Sequence, residues 1–409
     1  MKLRKRMTDT FWNSLGSGIF AAVSFLLLIG VTRGYGVEKA GSFGVAIATA
    51  QLMYRIGIFA MRQYQITDLN HEFPFSAYFS AKVASSLISL VVFSFYVIID
   101  EAAKEEFWQF FWIFAFYQLL SIDDLYQNRL FQENRLDKAG ISKCLVIGGY
   151  LCSFFILSIC RMELNTILAV AFFVSFVISV MNCPHDLWRE MVFVRDNSVF
   201  RAMEMAFPAF ISNFLFAFIN SLPKYTVYYF CSREESGYTN NIFMLLNVVE
   251  LVGNFIYYPF IPDITGNMAK DPGKVRKLIL RISAAIISVG CVMAVFMYSS
   301  GIMVFDFIYH KDFTGYIFEI IYTVSICGVL VALTALFYWI PVILREQKRL
   351  IRIFGAGTIA ALAGCVCGSL KYGIRGAIAG HSLAVGIMVV LLLRLFHVWW
   401  SGNAGNETA

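Results

Sequence analysis

Charged side chains are scarce in this sequence. Asp, Glu, Lys and Arg together make up 15% of the 409 residues, whereas roughly 25% is usual in soluble domains. Hydrophobic residues make up 59% and the mean hydropathy is +0.68. A soluble protein of this composition would leave too much apolar surface in water. The composition excludes a soluble globular chain and predicts an integral membrane protein with several spans.

Long polar connections are also missing, since the longest runs only from 184 to 205. None of the connections is long enough for a soluble domain. This argues against a membrane glycan polymerase or ligase, since such enzymes usually need a sizeable outer loop to hold the substrate and the catalytic groups. The cysteines lie mostly in apolar runs, and Cys365 and Cys367 have no His or carboxylate close by. We therefore expect no metal site and no cofactor.

Apolar runs long enough to cross a bilayer core of about 30 Å recur along the chain. The basic start "MKLRKRMTDTFWNSLG" could be a signal peptide, but no small-residue cleavage site follows, so we interpret it as a retained first helix. The predicted fold is all-α, with about twelve transmembrane helices. They lie near 11–33, 42–62, 77–99, 107–127, 141–160, 165–183, 206–230, 241–262, 280–304, 316–343, 351–370 and 374–397.

The placement of positive charge predicts the orientation. With both termini in the cytoplasm, 22 of the 33 Lys and Arg residues fall in inner segments and 8 in outer segments. This bias is what the positive-inside rule expects. The other three are within spans: Arg55, Lys82 and Lys224.

A weak internal repeat divides the spans into two sets of six. The loop predicted at 37–44 reads "VEKAGSFG" and the loop predicted at 233–240 reads "REESGYTN", which aligns Gly41 with Gly237. Many transporters are built from two such halves. We expect parallel six-helix bundles at 1–195 and 196–409, with a central cavity between them.

Charges inside the spans are the candidate functional residues of the first half. Arg55 and Arg62 are about two turns apart on one helix face. Arg62 can reach the cytoplasmic headgroups, whereas Arg55 is deeper and faces either a polar cavity or an internal ion pair. Arg33 is an outer interface anchor or a pathway residue. Asp68, at the end of the second span, is assigned with Arg62 to an interface or gating role.

The second half has Lys224 in "NSLPKYTVYY", beside Pro223, at which we predict a helix break. Glu250 is the one carboxylate well inside the eighth span. It pairs with Lys224 or Arg55, or carries a proton. Two deep cations and one carboxylate suit an anionic passenger such as a diphosphate.

Two further features have plain structural interpretations. Asp123 and Asp124, at the cytoplasmic end of the fourth span, are expected to be exposed at the membrane interface. His381, in the last span, is expected to be a packed and hydrogen-bonded imidazole.

Three stretches of the sequence resemble a known family: "TRGYGVEKAGSFGVAIATAQLM", "LPKY" and "LYQNRLFQENRLDKAGIS". They are similar to the Wzx-type lipid-linked oligosaccharide flippases of the multidrug/oligosaccharidyl-lipid/polysaccharide (MOP) exporter superfamily. Glu38, Ala40 and Gly41 match the helix-linking turn of that family. Lys224 stands where relatives often carry arginine, so the positive charge is kept but the paired donors of a guanidinium group are lost.

The resemblance implies a flippase in the bacterial cytoplasmic membrane, which moves polyprenyl-pyrophosphate-linked oligosaccharides to the outer leaflet for surface polysaccharide assembly. Arg55, Lys224, Arg33 and Glu250 would bind the substrate. Protons, sodium ions or the membrane potential would drive transport. Membrane lipids and other polysaccharide-assembly proteins are the expected partners, and nucleic acid is not. A cation-coupled drug antiporter of the same superfamily is the main alternative.

Overall fold

The computed structural model describes residues 2–68, 72–133, 135–268, 270–344 and 346–404, and all the regular structure in these ranges is helical. Helices dominate because lipid offers the backbone no hydrogen-bond partners, so each segment must satisfy its own N–H and C=O groups. The first nine helices are α1 (Lys2–Tyr35), α2 (Val37–Ile58), α3 (Met61–Thr67), α4 (Phe75–Ile99), α5 (Glu101–Glu105), α6 (Phe107–Gln132), α7 (Leu136–Ile159), α8 (Leu164–Asn182) and α9 (His185–Glu190).

Three irregular turns lie among the remaining described helices. One 3-10 turn, at Tyr258–Phe260, joins α11 to α12, and another, at Thr314–Tyr316, precedes α14. A π-helical turn at Thr323–Cys327 joins α14 to α15. The seven helices are α10 (Asn197–Phe230), α11 (Arg233–Tyr257), α12 (Ile261–Asn267), α13 (Pro272–Tyr309), α14 (Ile317–Tyr322), α15 (Gly328–Ile343) and α16 (Gln347–Ala404).

Large apolar side chains cover the outside of several helices. On α4, Leu87, Val91, Phe95 and Ile98 follow one another at helical spacing and are 56–68% exposed. Such a stripe is favourable in hydrocarbon and unfavourable in water. Within the described residues, nine helices are long and apolar enough to span a membrane. The chain is a multi-pass membrane protein.

The twelve predicted spans correspond to these helices. The helix α16 contains two of them, because Gly373 has a non-helical conformation (φ 57°, ψ −134°) that folds the helix back on itself. The halves of this hairpin touch through glycines: a Cβ on Gly376 would lie 1.9 Å from the carbonyl oxygen of Gly368. The predicted all-α, roughly twelve-span fold is confirmed.

Contacts group the chain into two compact units. Unit 1 comprises Met1–Gly36 and Phe43–Phe214, and unit 2 comprises Val37–Ser42 and Leu215–Ala409. Each unit has its own buried apolar cluster, around Phe59, Tyr78 and Leu125 in unit 1 and around Phe243, Phe337 and Phe354 in unit 2. The bundles predicted at 1–195 and 196–409 stay a prediction from sequence.

Candidate functional site

The second span of unit 1 is broken between α2 and α3. Phe59 (φ 48°) and Ala60 (φ 53°) are both left-handed, a conformation that is rare for residues other than glycine. Such strain persists only where the surrounding structure enforces it, and it concentrates at functional sites. The predicted helix 42–62 is therefore interrupted one turn beyond Arg55.

Buried side chains of α4 satisfy the carbonyl group that this break leaves without a helical partner. Lys82 Nζ and Ser85 Oγ donate to the carbonyl oxygen of Gly57, at 3.3 Å and 2.7 Å. Lys82 is only 3% exposed. A lysine can stabilise a helix C-terminus in this way because it supplies both donors and positive charge. Sequence reasoning placed Lys82 within a span but gave it no role.

Arg62, just beyond the break, forms an ion pair instead of reaching towards headgroups as predicted. Its Nη1 lies 2.8 Å from Asp124 Oδ1 on α6, and the guanidinium lies 5.2 Å from the centre of the Phe131 ring. Asn128 Nδ2 donates to the other oxygen of Asp124 at 3.0 Å and is also 3.2 Å from Gln65 Oε1. Arg62 thus joins α3 to α6.

Asp123 and Asp124 are 1% and 2% exposed, so the expectation that both are at an exposed interface is wrong. Hydropathy locates a residue along the membrane normal but does not say which side of its helix faces protein. The hydroxyl of Ser179 on α8 donates to Asp123 Oδ1, and Asp123 Oδ2 has no hydrogen-bond partner among the described residues. A buried carboxylate of this kind marks a candidate ion or proton site.

The other site residues predicted in the first half take separate positions. The side chain of Arg55 on α2 is exposed and makes no ion pair with a described residue. Arg33, in the last turn of α1, is exposed too. Asp68 organises a connection: it accepts hydrogen bonds from the backbone N–H groups of Glu72 (2.8 Å) and Phe73 (3.1 Å). This is a structural role for Asp68.

In unit 2, Lys224 is buried at 6% exposure, and no described carboxylate lies within ion-pair distance of its ammonium group. The predicted alternative of a Lys224–Glu250 ion pair is therefore wrong, and Glu250 is half-buried on α11. Burying an ammonium group without a counter-ion costs several kcal/mol, so Lys224 destabilises the fold unless a bound group offsets this cost.

The helix break predicted at Pro223 does not occur, since α10 continues from Asn197 to Phe230. Proline removes one hydrogen bond from the helix, and transmembrane helices tolerate this loss when neighbouring groups compensate for it. One turn before Lys224, Asn220 Oδ1 lies 3.1 Å from Nε2 of the fully buried His381. The expectation of a packed, hydrogen-bonded His381 is confirmed.

The glycines of the internal repeat contact each other within unit 2. Their segments form the first turns of α2 and α11, so the loops predicted at 37–44 and 233–240 are wrong. Gly36 (φ 95°) makes the turn before α2, and Ser232 caps α11. A Cβ on Gly237 would lie 2.0 Å from the carbonyl oxygen of Val37, and Asn240 Nδ2 donates to the carbonyl oxygen of Gly41 at 3.0 Å.

Comparison with solved structures identifies the fold. A multidrug resistance MATE family transporter of the MOP superfamily, in its inward-facing conformation, aligns with a TM-score of 0.70 over 94% of this chain and 96% of that chain, at 11% identity. The chain has the fold of the MATE transporters of the MOP superfamily.

Two other solved structures share this fold. A bent-form MATE transporter from Vibrio cholerae has a TM-score of 0.58 at 13% identity, over 97% of this chain and 98% of that chain. A MOP superfamily transporter from Pyrococcus furiosus has a TM-score of 0.58 at 11% identity, over 98% and 96%; the reverse polarity of its binding pocket suggests a different function for it. No family model and no curated protein sequence matches this chain.

Proposed function

We propose that this chain is a flippase that moves polyprenyl-pyrophosphate-linked oligosaccharide units from the cytoplasmic to the outer leaflet. The observation that carries the proposal is the buried Lys224 ammonium group, which has no ion-pair partner among the described residues. Removing such a charge from water costs several kcal/mol. Binding a pyrophosphate would offset that cost, and Arg55 would add a second cation with exposed donors.

The fold supports transport, and the sign of the buried charge favours an anionic cargo. The Pyrococcus furiosus transporter with this fold has a binding pocket of reverse polarity, so one fold accommodates different pocket charges. In our proposal Lys224 contacts the phosphates while the lipid chain stays in the bilayer, and Arg55 supplies a further positive charge for the cargo. Arg33 and Glu250 would adjust the charge around them, and proton, sodium or potential coupling would drive the cycle.

The test uses the opposite effects that Lys224 should have on stability and on transport. Lys224→Met removes an unpaired buried charge, so we expect the melting temperature of the purified protein to stay unchanged or to rise. The same variant should abolish surface glycan in the native host, with labelled lipid-linked intermediates accumulating on the inner leaflet. Lys224→Arg keeps the charge and should retain part of the activity, and Arg55→Ala should lose surface glycan at normal protein abundance.

Lys82→Met is the matched control, because it removes another buried lysine. The ammonium group of this lysine donates to the carbonyl oxygen of Gly57. The variant should lower protein stability and abundance while transport per molecule is preserved. Full surface glycan from Lys224→Met would refute the flippase assignment.

A second candidate is a cation-coupled antiporter of organic cations, and buried carboxylates favour it. Asp123 is 1% exposed and has one oxygen without a partner among the described residues. An antiporter would lose drug resistance in Asp123→Asn and keep it in Lys224→Met. The flippase predicts that Lys224→Met is the more damaging change, so one pair of variants separates the two functions.

A further inference from the structure

A cavity of about 300 Å³ lies in unit 2 between α14 and the second half of α16. Aromatic and aliphatic side chains form most of its wall, and one ion pair lies at its edge. Its lining residues are Phe318, Glu319, Tyr322, Tyr372, Arg375, Gly376, Ile378 and Ala379. None of them is among the residues that the flippase proposal uses.

The ion pair at this cavity is asymmetric. Arg375 Nε lies 2.6 Å from Glu319 Oε1, and the side chain of Arg375 is 64% exposed whereas that of Glu319 is 4% exposed. Glu319 Oε2 has no hydrogen-bond partner among the described residues. The carboxylate therefore engages only Nε, and the two terminal nitrogens of the guanidinium make no hydrogen bond to a described residue. A buried anion fixes the guanidinium, and its terminal donors are left for a ligand.

Backbone geometry produces this arrangement. The positive φ of Gly373 turns α16 back two residues before Arg375, which brings the arginine opposite α14. The guanidinium also lies 5.8 Å from the centre of the Phe318 ring, a contact that further restricts its orientation. The site is at the end of unit 2 that the charge pattern of the sequence predicts to face the outer leaflet.

The charge and the apolar wall together define the ligand. Terminal guanidinium donors match phosphate oxygens in a bidentate geometry. An apolar cavity beside them, lined by aromatic and aliphatic side chains, suits a hydrocarbon chain, because aromatic rings are common where proteins meet the membrane interface. A free phosphate or a sugar would leave the apolar wall unused, and a neutral hydrocarbon would leave the guanidinium donors unused.

We propose that this groove binds an anionic phospholipid, whose phosphate contacts the terminal nitrogens of Arg375 and whose acyl chain fills the cavity. Glu319 acts as a positioning residue, because it holds the guanidinium through Nε and leaves the other donors to the lipid. The site is independent of the proposed transport pathway and would hold a structural lipid at unit 2.

The test is native mass spectrometry of the full chain in detergent, titrated with palmitoyl-oleoyl phosphatidylglycerol. Arg375→Gln should weaken lipid binding about tenfold, the loss expected for a charge-assisted hydrogen bond. Ala379→Trp, at an exposed lining position, should weaken binding by filling the groove while the Arg375–Glu319 pair remains. Glu319→Gln should weaken binding less than Arg375→Gln, and Arg375→Lys should recover only part of it.

Arg394→Gln is the matched control, since this exposed arginine is on the same helix, roughly 28 Å further along its axis. It should bind the lipid like wild type. Circular dichroism and size-exclusion chromatography report whether each variant folds. Unchanged affinity in folded Arg375→Gln and Ala379→Trp would overturn the proposal. Equal binding of palmitoyl-oleoyl glycerol, which lacks phosphate, would overturn the role of Arg375.

Discussion

The glycine contact between α2 and α11 gives the sharpest stability prediction. In Gly237→Ala the new Cβ would lie 2.0 Å from the carbonyl oxygen of Val37 and 2.6 Å from its Cγ1. Carbon–oxygen contacts normally begin at about 3.3 Å, so the helices must separate by more than about 1 Å. Both neighbours belong to packed helical segments, so neither can move away alone.

The expected magnitude follows from three effects. Overpacking of a helix contact costs about 1–3 kcal/mol. Separation of the helices would also weaken the Asn240–Gly41 hydrogen bond of 3.0 Å, which contributes about 1 kcal/mol. Alanine recovers up to about 1 kcal/mol through its helix propensity. We expect a net destabilisation of about 1–3 kcal/mol, or several degrees in melting temperature.

The assay is thermal unfolding of the purified protein in detergent, followed by tryptophan fluorescence. Gly266→Ala is the matched control, because it makes the same change within α12 of unit 2, and beyond its own helical turn no atom of the described residues lies within 4 Å of the added Cβ. It should leave the melting temperature unchanged or slightly higher. If Gly237→Ala has the same melting temperature as Gly266→Ala, the close packing of Val37–Ser42 on α11 within unit 2 is refuted.

Two further outcomes are expected in the same assay. In a double-mutant cycle of Arg62→Gln and Asp124→Asn, the coupling energy should be about 1–2 kcal/mol. Burial of the carboxylate, which is 3% exposed, strengthens the electrostatic attraction, whereas the 33% exposure of the guanidinium weakens it. A coupling energy of zero would contradict the ion pair. Gly373→Ala should destabilise by about 1–3 kcal/mol because alanine resists a φ of 57°, whereas Gly355→Ala, earlier on α16 with open space around its Cβ, should be neutral.

The helices could be predicted from sequence because the bilayer leaves the backbone few choices. A long apolar run must be helical in lipid, and its length fixes the number of crossings. The same argument does not locate breaks. Pro223 is an evident signal and α10 passes through it, whereas Phe59 and Ala60 break a helix with no residue that favours positive φ. Tertiary contacts, such as that of Lys82 with the Gly57 carbonyl, decide where a helix stops.

The internal repeat shows that the sequence can match two equivalent positions, Gly41 and Gly237, and still predict the wrong local structure for both. Gly41 and Gly237 align at the same point of the two predicted halves, where loops were expected. Both are helical, and small residues are needed there because two helix N-termini cross within van der Waals contact. Glycine is compatible with a loop and with a close crossing, and only the three-dimensional contact distinguishes the two.

For charges inside the spans, the sequence likewise predicts the position along a helix but not the group that each side chain contacts. The sequence predicts that Arg62, Lys82 and Lys224 lie in or near the membrane, but it does not predict their partners. Arg62 pairs with Asp124, 62 residues away, and Lys82 donates to the carbonyl group of Gly57, 25 residues away. Arg62 and Lys82 have protein partners, so the fold itself explains them. Lys224 has no such partner among the described residues, and a folding argument alone would replace it with an apolar residue. A cargo that supplies the missing negative charge is therefore the most economical explanation for a lysine at this position.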